Sequence, residues 1–187
     1  FEKSQKNQMR KIILSGSYPG IGKGDPDLYK AFAWRFLNLC SKNLGFIGIV
    51  LPRSAISSNG SEQFRKGILK QSNSMIVTLL QNTGKWVFDI HPQFTVALIS
   101  ISKSSSYVDG IFLKGPFNSF KNYKKSKSNN YEAISVEELE SWSEDGAFPL
   151  LPFPESLEVF RQLKRSPSIA EKFADSWIIK PRRELDA

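Results

Sequence analysis

The sequence predicts an α/β fold: part of a Rossmann-like sheet, followed by a mostly helical appendage. Three observations carry that prediction. Residues 27–54, DLYKAFAWRFLNLCSKNLGFIGIVLPRS, read as an amphipathic helix, a glycine-marked stop, an apolar strand and a polar turn at Pro52. Turns at the carboxyl ends of strands are where α/β sheets place ligands. Two more apolar runs, MIVTLLQ (75–81) and FTVALISIS (94–102), have the length of strands. Beyond residue 131 the signals become helical, beginning with ISVEELESW, where Ser135 and Glu138 form a capping-box pattern.

Each element follows in chain order. Residues 1–26 hold a short polar, helix-compatible opening and then SGSYPGIGKGDPD, whose glycines and prolines mark a loop. Its glycines match neither G-x-G-x-x-G nor G-x-x-x-x-G-K-[ST], so it is no nucleotide cradle, and a nicotinamide-linked dehydrogenase is disfavoured. Asp25 or Asp27 then caps a helix with Pro26 in its first turn. Leu28, Phe32, Phe36 and Leu39 recur at spacings of three and four, which predicts that this face is buried. Gly45 ends the helix, and FIGIVL (46–51), apolar on both faces, fits an interior parallel strand.

A second helix is expected over 61–71, with Phe64, Ile68 and Leu69 inward. NTGKWVFDIHPQ (82–93) is a loop with an aromatic tip between the second and third strands, and IFLKG (111–115) is a short edge strand. The basic stretch KNYKKSKSNN (121–130) has no hydrophobic period and predicts a mobile loop. Further helices are expected near 154–164 and 168–176. The domain reading is therefore a lead-in over 1–26, an α/β layer over 27–115, a basic loop over 116–130 and a helical appendage over 131–187.

Composition narrows the function. Twenty-six Lys and Arg against 18 Asp and Glu give a net charge of +8, which favours a polyanionic partner without dictating a fold. One cysteine, Cys40, and one histidine, His91, allow neither an intrachain disulfide nor a Cys/His zinc site, so no metal is expected. A reducing, cytoplasmic setting follows, and no run approaches a membrane span. The chain opens at Phe1 and is expected to be a fragment or a processed piece.

In order and spacing, DLYKAF with its helix, GFIGIVLPRS, a helix containing FRKGIL, and WVFDIHPQFTVALISISK together resemble adenine-N6 DNA methyltransferases. The resemblance is to the modification portion of type IIG restriction-modification enzymes and their type I relatives. It covers about residues 20–104, and WIIKPRRELDA resembles the lead from methylase domain to target-recognition region. It implies a mixed sheet whose last strand is inserted antiparallel, S-adenosylmethionine as cofactor and double-stranded DNA as partner.

The resemblance also implies residue roles. DLYKAF matches the family's motif V and places Phe32 against the cofactor's adenine, with Tyr29 and Asp27 nearby; Phe32 reads equally as ordinary helix core. GFIGIVLPRS matches motif VI and puts Pro52 and Ser54 at the mouth of the target-base pocket, although a plain turn explains them as well. KWVFDIHPQF matches motif VIII and makes Phe88, or else Trp86, the aromatic that stacks on a flipped adenine. Lys121, Lys124, Lys125 and Lys127, and Lys180, Arg182 and Arg183, are candidates for the DNA backbone.

The family's Asn/Asp-Pro-Pro-Tyr/Phe tetrapeptide is absent from all 187 residues, as is its upstream glycine-bearing turn. No catalytic residue is therefore assigned, and the chain alone is expected to be inactive. It would need the other half of the methylase domain and a target-recognition domain. Half a sheet leaves an open edge, so either that half covers it or the piece self-associates. The competing readings are a non-catalytic nucleic-acid-binding or interaction module, and a decayed gene product.

Overall fold

The computed structural model describes residues 2–18, 21, 27–104 and 109–167. The predicted helix at 168–176 and the basic residues Lys180, Arg182 and Arg183 lie outside the described residues, as do Asp25 and Pro26. The elements are α1 (Glu2–Leu14), α2 (Leu28–Leu39), β1 (Phe46–Pro52), α3 (Ser54–Ser57), α4 (Glu62–Leu69), β2 (Ser74–Gln81), β3 (Thr95–Ser102), β4 (Gly110–Phe117), α5 (Phe120–Lys125), α6 (Val136–Trp142) and α7 (Ser156–Lys164). The chain divides into two compact units, one running to Pro154 and the other starting at Glu155 and containing α7.

The four strands form one mixed sheet in the order β1-β3-β2-β4. β3 is antiparallel to both β1 and β2, while β4 is parallel to β2. The fold is thus α/β with a partial Rossmann-like sheet, and the antiparallel member is the TVALISIS strand inserted between two parallel ones. Pairing stacks rows of apolar side chains on one face: Leu51, Ala97 and Leu79 in one row, then Ile99, Val77 and Leu113, then Ile101, Met75 and Ile111. All nine are buried, and Phe64 and Ile68 of α4, with Ile56 and Phe148, close over Met75 and Ile99.

Several expectations are corrected. β1 is not an interior strand: it lies at the sheet edge, bonded to β3 alone among the described residues, and Phe46, Gly48 and Val50 are exposed. A continuous apolar run shows that a strand tolerates cover on both faces; it does not show that its own chain provides it.

The face of α2 is also reversed. Lys30, Ala31, Ala33 and Leu37 are buried, whereas Leu28, Phe32, Phe36 and Leu39 face outward. Both sets satisfy the helical period, and the smaller residues fit the tight packing against α4. There the ring of Trp34 lies so close to Gly67 that a Cβ at that position would sit 2.5 Å from it.

Helix α2 stops at Leu39, with Cys40 as its C-cap, rather than at Gly45. Gly45 instead permits a backbone crossing, since a Cβ there would meet the Cys40 sulfur at 2.1 Å and the Ser41 carbonyl oxygen at 2.4 Å. Asp27 occupies the N-cap position in extended geometry, but its side chain accepts no capping hydrogen bond.

Finally, the basic stretch is ordered. Residues 120–125 form α5 and 126–128 a 3₁₀ turn, with the Ser119 hydroxyl capping the Asn122 amide. Tyr123 packs edge-on against Phe117, at 5.9 Å between ring centroids. The Ser135 cap of α6 is as expected, accepting from the Glu138 amide at 3.0 Å.

Candidate functional site

Strands β1, β2 and β4 run in the same direction, so their carboxyl ends emerge on one edge of the sheet, where β3 begins. The turn at Pro52 to Ser54, the 82–94 loop and the start of α5 all leave from that edge. Backbone bonds tie them together: the Arg53 amide donates to the Thr95 carbonyl at 3.1 Å, and the Asn82 amide to that of Phe94 at 3.0 Å. The first turn of α2 lies at the same edge. Lys30 reaches the Gly60 carbonyl at 3.3 Å, and Tyr29 stands edge-on to Phe64 at 6.4 Å. At the opposite end of that helix, Lys103 donates to the Leu37 carbonyl.

The predicted residues therefore fall at one end of the sheet, in two environments. Pro52 and Ser54 are exposed on the turn into α3. Asp27 and Phe32 are exposed, Tyr29 is half-buried, and Phe32, 56% accessible, pairs with Phe36 at 6.3 Å on the outward face of α2. Phe32 is not core. Lys121, Lys124, Lys125 and Lys127 are exposed on α5 and the turn after it, with no carboxylate between residues 118 and 130. Lys127 lies over the Tyr123 ring, 5.8 Å from its centroid.

The aromatic loop is a built object. Its hub is Asn82, a residue the sequence reading did not single out, fully buried immediately after β2. Its amide nitrogen donates to the carbonyls of Phe88 at 2.9 Å and Ile90 at 3.2 Å. Its amide oxygen accepts from the Val87 and Phe88 amides, both at 3.1 Å. The signal available was an asparagine directly after a strand, the residue type whose side chain most often closes a turn on its own backbone.

Around this hub Lys85 adopts a positive φ of 58° and bridges to Asp89 at 2.7 Å. The Trp86 indole donates to the Gln81 carbonyl at 2.7 Å, which ties that ring into the loop. Phe88 is left 44% accessible, beside exposed Ile90 and Phe94. His91 accepts from the Gln93 amide and packs edge-on against Phe94.

A second buried polar residue ties the turn after α3 to the segment after α6. Arg65 of α4 donates to the Ser58 carbonyl at 2.6 Å, and to the Asp145 carbonyl and carboxylate at 2.8 and 3.0 Å. It thereby fixes the turn that follows α3. Burial pulls the Arg65 pKa down, and the Asp145 charge works against that shift. Asp145 is pushed up by burial, but hydrogen bonds from Ser143 and the Ala147 amide, with Arg65 nearby, bring it below its ordinary value.

An edge that presents exposed aromatic rings, a polar turn and a lysine-bearing helix suits a ligand that combines planar rings with negative charge. Stacking and cation contacts are the forces available there. No group of three or more His, Cys, Asp or Glu among the described residues is arranged to hold a metal. No described helix is long and apolar enough to cross a membrane.

No protein-family model matches the chain, and no curated protein does. Solved structures do. The DrdV–DNA complex aligns with a TM-score of 0.50 at 16% identity over 70% of this chain and 14% of that one. The type IIG restriction endonuclease BpuSI aligns at 0.42 and 19% identity, over 71% of this chain and 16% of that one. The ATP-dependent type ISP restriction-modification enzyme LlaBIII, bound to DNA, aligns at 0.38 and 20%, over 57% and 8%. The chain thus spans less than a fifth of each of these proteins, and the similarity to the DrdV complex is one of fold.

Proposed function

We propose that this chain is part of an adenine-N6 DNA methyltransferase of a restriction-modification system. It would supply one wall of the target-base pocket and part of the cofactor wall, and be inactive alone. The observation that carries the reading is the antiparallel β3 lodged between β1 and β2, with a scaffolded aromatic loop at its start. That loop stands beside the turn that closes β1. The fold likeness to the DrdV–DNA complex supports it.

In this reading Phe88 offers its ring to the adenine once it leaves the duplex, while Pro52 and Ser54 border the same opening. Phe32, with Tyr29 and Asp27 near it, offers an exposed ring to the adenine of S-adenosylmethionine, which supplies the methyl group when bound. The acceptors that polarise the target amine come from elsewhere, because the chain has no Asn-Pro-Pro-aromatic tetrapeptide. The edge of β1 is where that remainder pairs. The Arg53 to Thr95 and Lys103 to Gly45 bonds place the odd-numbered residues of β1 against β3. The backbone groups of Gly48 and Val50 consequently point away from β3.

A non-catalytic DNA-binding role is the second reading, favoured by the lysines of α5 on an ordered helix rather than a loose tail. One experiment separates the two: tritium transfer from labelled S-adenosylmethionine to duplex DNA, with and without a polypeptide carrying the glycine turn and the Asn-Pro-Pro-aromatic motif. The methylase reading expects no transfer by the chain alone. With the supplement it expects transfer to adenine, reduced at least tenfold by Phe88→Ala. Transfer that never appears, alongside retained DNA binding, would leave the binding-module reading standing.

A further inference from the structure

We propose that Asn82 is a positioning residue whose buried carboxamide holds the Phe88 ring in its presented pose. The proposal deepens the reading of Phe88 as the platform for the flipped base and rests on it.

The geometry is that of a saturated hub. Asn82 has no solvent exposure, and a primary amide can donate two hydrogen bonds and accept two. The side chain makes four contacts of that kind, all with residues 87–90. Phe88 is held from both sides: its amide donates to the Asn82 oxygen, and its carbonyl accepts from the Asn82 nitrogen. The backbone on either side of the exposed ring is therefore pinned to a buried atom pair at the end of β2.

The main-chain groups of Asn82 pin two further points of the loop, its carbonyl accepting from the Lys85 amide and its amide donating to Phe94. No other side chain of this size can donate two hydrogen bonds from one atom and accept two at another. Aspartate keeps the two acceptor contacts and loses both donations, while alanine loses all four. A ring that must meet an incoming base benefits from being fixed beforehand, since ordering a loop on binding opposes the stacking gain.

The test uses the full 187-residue chain and two fluorescein-labelled DNA duplexes. One carries a single adenine opposite an abasic site; the other is abasic at both positions. The ratio of their dissociation constants isolates the contribution of the base from that of the phosphates. Phe88→Ala should lower the ratio by about tenfold. Asn82→Ala should lower it by a similar factor while leaving affinity for the doubly abasic duplex unchanged. The double variant should fall no further than Phe88→Ala alone.

If Phe88→Ala lowers the ratio and Asn82→Ala does not, the role of Asn82 is overturned and the reading of Phe88 survives. If Phe88→Ala leaves the ratio unchanged, that reading falls, and Asn82 as its support falls with it. Amide hydrogen exchange in the unbound chain gives a second readout that needs no DNA and a gentler variant. Asn82→Asp should speed exchange at residues 87–90 at least tenfold with β2 and β3 unaffected. Unchanged exchange there overturns the proposal.

Discussion

Phe32 and Leu37 are five residues apart on one helix and face opposite surroundings, with Leu37 1% accessible. Leu37→Ala should cost about 2–5 kcal/mol in denaturant unfolding, through lost burial and a residual cavity. Phe32→Ser should change stability by less than about 0.5 kcal/mol, because the ring packs on little of its own chain. Gly67→Ala should cost about 1–3 kcal/mol, since its methyl would press into the Trp34 ring. The helix itself was readable from its period, but its orientation was not. Leu28, Phe32, Phe36 and Leu39 satisfy the spacing as well as Ala33 and Leu37 do, and size favours the wrong set. Asn82 went unremarked for a related reason: a loop asparagine shows its importance only when its four partners are in place.

Between elements, the tie with the most leverage joins α4 to the segment after α6. Asp145→Ala would leave the buried Arg65 with backbone acceptors alone, which should cost about 2–3 kcal/mol by urea titration. The same pair sets an acid limb. The Asp145 pKa is lowered in the folded state from its ordinary 3.8. The stabilisation it brings is therefore complete above that value and is lost as pH falls through the lower, folded one. As pH is lowered below about 4, the urea midpoint of the wild type should fall further than that of Asp145→Asn, measured in parallel. Helix α5 was within reach of the sequence, because Phe117, Phe120 and Tyr123 stand three apart and supply the packing. The lysines set between those rings mask that period. The strands and their order along the chain were readable from their apolar runs. Edge position was not, since pairing depends on which residues lie opposite.

At the scale of the whole molecule, β1 combines an outward row of backbone donors and acceptors with exposed Phe46 and Val50, and the uncovered face of α2 adds Leu28, Phe32, Phe36 and Leu39. Surfaces of this kind associate with other strands or with apolar partners. The chain in isolation should sediment as a concentration-dependent mixture. Phe46→Lys combined with Val50→Lys should shift it to monomer while leaving the unfolding midpoint little changed. The topology has a consequence in time as well. β2 and β3 are joined by one loop, so they can pair as soon as both have been made, whereas β1 has no partner until β3 appears. Roughly 40 residues separate the end of β1 from the start of β3, so at about 5–20 residues per second a ribosome leaves β1 waiting for about 2–8 s. In that interval a nascent chain offers its most apolar strand to whatever is nearby, and a preceding segment already folded would be the first to meet it.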